Sequence, residues 1–353
     1  MSPTNLALRL AASRTSLLPS LLYPHCRTKR VLNTALSTAT NATIPVPQRR
    51  TLSSQSQTNT RNPSARLTGR TCMITGGTSG IGYAIASRFL QEGAERIILV
   101  GRSYERLVKA ASNLNNKSIS QPNQPYNDNI AQTQEPPASS PQGTLLHFSD
   151  RIHLLVGDVS DAGSWLRELE KAMQPVDILI NAAGISNSNI LPKITPAEIS
   201  QILRTNLEGA IITSRAFLRA SLRNRLKTHD STTRPASKCI VNISSLLALK
   251  GGTGAVPYAA SKAGLLGLTR SLAVEAGISL RDVDLRSNAI VPGYIETPMI
   301  AGFSEGENER LKGLIPLGRF GTPNEVADAA VFLAGNEYAN NCVVNLDGGL
   351  SAV

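Results

Sequence analysis

From about Leu67 the chain alternates short apolar runs with segments of helical periodicity. The runs are Thr71–Thr75, Arg96–Val100, Ile152–Gly157, Val176–Asn181, Ile240–Ser244, Leu285–Val291 and Val343–Leu346. Helices between strands of this kind predict an α/β fold, a single doubly wound parallel sheet with helices on both faces. Two polar stretches break the rhythm. In Asn113–Gly143, twenty of thirty-one residues are Pro, Asn, Gln or Ser, a composition that cannot bury a core. Strands resume directly after it, so the pattern predicts a disordered insertion within one domain, residues 67–353. Lys227–Ser237 reads as a second, shorter insertion.

Charge changes the picture at the N-terminus. The formal net charge is +11, yet residues 1–70 hold ten basic residues and no Asp or Glu, and the first acid is Glu92. Removing that +10 leaves about +1 for the body, which excludes broad electrostatic capture of nucleic acid. The leader is rich in Arg, Ser, Thr and Leu, as mitochondrial transit peptides are. Leu6, Leu8, Leu10 and Leu17 with Arg9 and Arg14 suit a basic amphipathic helix. Residues 1–52 are therefore expected to be a transit peptide, cut near Arg49–Ser53, with 53–66 a flexible remainder and the mitochondrial matrix the destination. No run approaches the ~18 apolar residues of a membrane span. The four cysteines show no paired spacing, so neither a disulfide framework nor a metal site is expected.

Thr75-Gly76-Gly77-Thr78-Ser79-Gly80-Ile81-Gly82 follows the first strand and opens a helix. Glycines there permit a tight turn and close approach to a pyrophosphate, whose charge meets N–H groups at the helix start. This makes the fold Rossmann-like. At the end of the second strand, where NAD enzymes of this architecture place an acid, stand Gly101 and Arg102. A guanidinium suits a 2′-phosphate, so NADP(H) is the expected cofactor. Tyr258 and Lys262 stand four apart and share one helix face. A lysine beside a phenol favours the phenolate and lowers its pKa, which suits proton exchange with a carbonyl or an alcohol.

Assembled, these residues resemble the classical short-chain dehydrogenase/reductase family from Leu67 onward. The resemblance extends to Asp158-Val159, where the family contacts adenine, and to Asn181-Ala182-Ala183-Gly184, which supports the cofactor floor. It includes Asn206, Ser245 and the segment Pro292-Gly293-Tyr294-Ile295-Glu296-Thr297 that grips the nicotinamide carboxamide. It implies that Tyr258 is the general acid of reduction, and that Lys262 tunes it and holds the nicotinamide ribose. Ser245 would bind the substrate carbonyl, and Asn206 would anchor a water that reprotonates the system. Ser244 stands one residue away from the expected spacing. The tail Ile315–Ala327 and Asn345–Gly349 is similar to 3-oxoacyl-[acyl-carrier-protein] reductases. That implies a carrier-bound thioester substrate, an acidic carrier protein docking near Arg270 and Arg281, and a homotetramer. Another carbonyl reductase or a hydroxysteroid dehydrogenase is the competing expectation. Asn340-Asn341 replaces a usual turn glycine, and Asn tolerates the positive φ such a turn needs.

Overall fold

The computed structural model describes residues 65–119, 142–186, 188–227, 237–280 and 283–353. The transit-peptide expectation lies outside the described residues, as do Arg281 and most of both polar stretches.

Eight strands form one sheet: β1 (Thr71–Thr75), β2 (Arg96–Gly101), β3 (Leu145–Ser149), β4 (Ile152–Val156), β5 (Ile178–Asn181), β6 (Lys238–Ile243), β7 (Leu285–Pro292) and β8 (Val343–Leu346). Their order is β3-β4-β2-β1-β5-β6-β7-β8. The helices are α1 (Gly80–Gln91), α2 (Tyr104–Ile119), α3 (Leu166–Ala172), α4 (Pro196–Leu203), α5 (Gly209–Lys227), α6 (Val256–Ser279), α7 (Glu305–Leu314) and α8 (Pro323–Gly335). Because strand side chains alternate between faces, Cys72 and Ile74 join one buried layer with α1, α2 and α8, whereas Met73 joins the other with α3, α5 and α6. The chain steps outward from β1 through β2 and β4 on one side, and from β5 through β8 on the other. The reversal between β1 and β5 opens a crevice at the carboxyl ends of the strands, where such sheets bind ligands.

Three expectations need correction. The sheet is parallel except at one edge, where β3 pairs antiparallel with β4. Its Leu-Leu-His-Phe-Ser run and the Asp150-Arg151 turn form a hairpin that the polar stretch before it obscured. The insertion also begins later than Asn113: α2 runs to Ile119 and buries Leu114, while the Gly143 N–H donates to Val156 O at 2.8 Å. Ser237, assigned to the second polar stretch, is buried, and its Oγ accepts from Arg286 at 3.0 Å.

Arg286 itself is buried in β7 and donates to Leu333, Ala334 and Ala339 carbonyls at 2.7–2.9 Å. A cation at the end of α8 satisfies carbonyls that a helix terminus leaves open. Asn341 does adopt φ 58°, and the Asn340 side chain accepts from the Ser287 N–H at 3.0 Å, so the glycine-free turn closes.

Candidate active site

The glycine turn lies between β1 and α1 because only glycine fits it. Gly76 has φ +67°, and a Cβ there would stand 2.8 Å from Ala183 Cα, in the loop after β5. A Cβ on Gly82 would meet Gly76 O at 2.5 Å. Gly80 (φ +55°) faces Thr297, whose methyl would be 3.3 Å from its Cβ. The turn, the Ala182-Ala183-Gly184 loop and the Pro292–Thr297 segment therefore converge on one crevice. Pro292 ends β7, Gly293 packs against Asp347, and the buried Ile295 is held by a backbone bridge to Gly321. Ser79 is the N-cap of α1 without a side-chain cap bond, and Ile81 packs its first turn on the core.

At the outer end of the crevice, Thr78 lies against Gly101: a Cβ on Gly101 would sit 3.1 Å from the Thr78 methyl. Arg102 is largely exposed and stands 3.7 Å from Asp158 Oδ2. The other Asp158 oxygen accepts from the Ser160 N–H and hydroxyl at 2.9 and 2.8 Å, and Val159 is buried beside it. A second guanidinium escaped sequence reasoning. Arg106, in the first turn of α2, donates to Ser79 Oγ at 3.4 Å. Only its place three residues after Ser103, whose hydroxyl accepts the Arg106 N–H at 3.3 Å, could have signalled it. Close-approach glycines, a helix N-terminus and two guanidiniums fit a dinucleotide phosphate group.

Asn181 plays a different part. Its buried amide donates to Ser214 and Asn242 at 3.2 and 2.9 Å and accepts from Thr213 at 2.8 Å. It braces the floor from beneath, and Thr75 Oγ1 holds the Ala182 and Ala183 N–H groups above at 3.1 and 3.2 Å.

Ser245, Tyr258, Lys262 and Asn206 come together. Ser245 follows β6; its Oγ accepts the Leu247 N–H at 3.2 Å, and its hydroxyl neighbours the Tyr258 phenol. Ser244 is turned away, donating to Lys262 O at 2.8 Å. Tyr258 and Lys262 lie one turn apart on α6, with Nζ over the phenol ring at 5.7 Å from its centroid. Burial pushes the Tyr258 phenol above its ordinary value, and the Ser245 hydroxyl pulls it back. The net shift is therefore upward in this cofactor-free structure, where a lowering was expected. Lys262 is buried, donates to Ile243 O at 2.9 Å, and is itself pushed down to about 8 by burial.

Asn206 lies in a π-helical turn, Arg204–Glu208, between α4 and α5. Its amide hydrogens go to Ile185 O at 2.9 Å and Ser261 Oγ at 3.0 Å, and its Oδ1 accepts the Ile185 N–H at 2.8 Å. With both amide hydrogens committed, any water it anchors is held by acceptor capacity. A hydroxyl pair above a buried cation, beside a dinucleotide cradle, can hand a proton to a carbonyl oxygen.

Family comparison agrees with this geometry. A model described as enoyl-(acyl carrier protein) reductase matches residues 142–351, more than half of the chain, and a short chain dehydrogenase model matches residues 70–140. The chain belongs to the short-chain dehydrogenase/reductase family. It is 34% identical to a 3-oxoacyl-[acyl-carrier-protein] reductase of Rattus norvegicus, across 80% of this chain and 98% of that one. With the same-named protein of Chlamydia muridarum the identity is 32%, across 81% and 98%. A crystal structure described as an NAD(P)-dependent gluconate 5-dehydrogenase of Beutenbergia cavernae, with NADP bound at low occupancy, superposes with a TM-score of 0.65. That pair is 28% identical and covers 82% of this chain and all of the other. As a short-chain dehydrogenase/reductase the protein is an oxidoreductase that uses a nicotinamide dinucleotide. Among the described residues no helix is long and apolar enough to cross a membrane, and no group of three His, Cys, Asp or Glu could hold a metal.

Proposed function

We propose that this protein reduces 3-oxoacyl groups carried as thioesters on acyl carrier protein, using NADPH, in the mitochondrial matrix. The observation that carries the reading is the hydroxyl pair Ser245–Tyr258 over buried Lys262, in a chain whose relatives at 32% and 34% identity are 3-oxoacyl-[acyl-carrier-protein] reductases. The acid-free basic leader supports import, and Arg102 with Arg106 supports NADPH over NADH.

Gly76, Thr78, Gly80 and Gly82 would take the pyrophosphate, Asp158 and Val159 the adenine, and Pro292–Thr297 the carboxamide. The bound nicotinamide supplies a hydride. The residues of the chain handle the proton and the charge. Ser245 accepts from a backbone N–H, and its own hydrogen, directed at the Tyr258 phenol here, can donate to the substrate carbonyl oxygen as negative charge develops there. Tyr258, kept protonated by burial, gives its proton to the same oxygen. Lys262, one turn along and cationic below about pH 8, stabilises the phenolate left behind.

Oxidation of NADPH with an acetoacetyl thioester, with a steroid ketone and with no substrate tests the reading. Turnover of the thioester alone is expected. Turnover of the steroid alone would assign a hydroxysteroid dehydrogenase, and binding of NADPH without turnover would leave a non-catalytic module. A homotetramer belongs to the same reading: α6 leaves Val274 and Ile278 exposed beside Arg270 and Glu275, a surface suited to a second copy.

A further inference from the structure

Ser261, between Tyr258 and Lys262 on α6, has no part in the chemistry described above, yet its side chain is completely buried among the residues that do. Its hydroxyl donates to Tyr258 O at 2.7 Å and accepts from Asn206 Nδ2 at 3.0 Å. Through the remaining Asn206 bonds it reaches both backbone polar groups of Ile185. The preceding residue, Gly184, is where a Cβ would sit 3.2 Å from Lys262 Nζ and 3.5 Å from Asn206 Oδ1. One hydroxyl thus ties three pieces together: the α6 turn bearing Tyr258 and Lys262, the π-helical turn bearing Asn206, and the loop after β5 that floors the crevice.

We propose that Ser261 is a positioning residue for the reduction, fixing Asn206 and the Gly184–Ile185 loop against the Tyr258 turn. A serine that bonds back to the preceding helical turn is ordinary in itself, and α6 supplies its own comparison. Thr269, about two turns further on, donates to Leu265 O at 2.8 Å and accepts from Asn242 Nδ2 at 2.9 Å. The two motifs are the same in form and differ in their partner. Asn242 belongs to the network under the floor, whereas Asn206 belongs to the catalytic cluster. A hydroxyl that only stabilises the helix would behave alike at both positions.

The inference rests on the catalytic roles proposed above, and the test separates the two. Steady-state kinetics and NADPH affinity are measured for S261A, S261C, N206A, the S261A/N206A double variant and T269V, with thermal unfolding for each. S261A is expected to lower kcat by about tenfold to a hundredfold, the scale of small misplacements near the chemistry, while KM and NADPH affinity stay within about twofold. S261C, which keeps the shape and a weak hydrogen bond, is expected to recover part of that loss. If Ser261 acts through Asn206, the double variant is no slower than N206A alone. T269V is expected to unfold at lower temperature with kcat intact. Wild-type kcat in S261A, multiplied losses in the double variant, or equal kcat losses in S261A and T269V would each overturn the proposal. Should S261A fail to fold, the same cycle is run with S261C, and multiplied losses overturn it there too. Turnover by Y258F would sink the catalytic reading itself; with Y258F silent, these outcomes bear on Ser261 alone.

Discussion

Adjacent serines at the end of β6 divide their work by the faces they point to. Ser244 fastens the strand to α6 through Lys262 O, and Ser245 turns into the crevice. Sequence spacing had already favoured Ser245, and strand alternation is why the two cannot share a role. At this scale three outcomes are expected. Y258F should lose about 10²-fold or more in kcat, the weight of general acid catalysis, with NADPH affinity nearly unchanged by fluorescence titration; a variant keeping a tenth of the rate would remove Tyr258 as the acid. R102A should weaken NADPH more than NADH by about tenfold, the scale of a lost charge-assisted bond. R106A should do the same, because its guanidinium reaches the glycine turn; equal affinity of the native enzyme for both cofactors would refute both. Introducing Asp at Gly101 is a poorer test, since its Cβ would press on Thr78 and Leu107. Lys262 makes a pH prediction for the cofactor-free protein. Its folded pKa of about 8 lies below the ordinary 10.5, so between those values the unfolded chain holds a proton that the folded chain has released. Stability from this group therefore rises with pH across that window, by about 1.4 kcal/mol per unit of depression. Urea midpoints at pH 8 and 10 should show that rise reduced in K262M, and parallel behaviour would count against it. Ser245, Tyr258 and Lys262 were legible because only thirteen and four residues separate them, and Asn206 only through the family resemblance. Arg106 and Ser261 were not, because their partners lie 27 and 55 residues away in sequence.

Among the elements, the strands crossing the sheet's centre and the edge strand β8 were read well, and the opposite edge at β3 poorly. β1, β2, β5 and β6 are mostly apolar runs because both faces are covered, and β7 is buried throughout although Arg286, Ser287 and Asn288 stand in it. β3 has half-exposed positions and sits beside a polar stretch, so its pattern is faint. The end of α2 was lost for a similar reason: its polar composition hid the buried Leu114. Deleting 120–141 and joining the ends with a short linker should leave thioester reduction almost unchanged, since added loop length costs little. Deleting 113–143 should cost about 2–5 kcal/mol, as for removal of a buried leucine; equal melting temperatures for both deletions would contradict the placement of α2. Arg286 joins β7 to the end of α8 without a carboxylate in any of its hydrogen bonds. R286M would strand several carbonyls and should destabilise by about 3 kcal/mol, read as a lower urea midpoint with NADPH affinity retained.

Over the whole molecule, charge is partitioned between the N-terminal stretch and the body, so under the proposed reading any recognition of an acidic carrier would be local. Arg270 is exposed on α6 beside Glu275 and Val274, while Arg281 lies outside the described residues. If docking is electrostatic, charge reversal at both should raise KM for a carrier-bound substrate severalfold, spare a small thioester, and make the carrier preference fade with salt. Equal losses on both substrates would point instead to damage in the crevice. Sedimentation of the same variants tests the tetramer, because α6 would serve both contacts.

The strand order has a practical corollary. The residues that gather around the crevice follow β1, β2, β4, β5, β6 and β7, whereas β3, the first strand after residues 120–141 in sequence, is an edge strand. A fluorescent reporter domain spliced between residues 120 and 141 is expected to be carried as a passenger, giving a tagged oxidoreductase with both termini untouched.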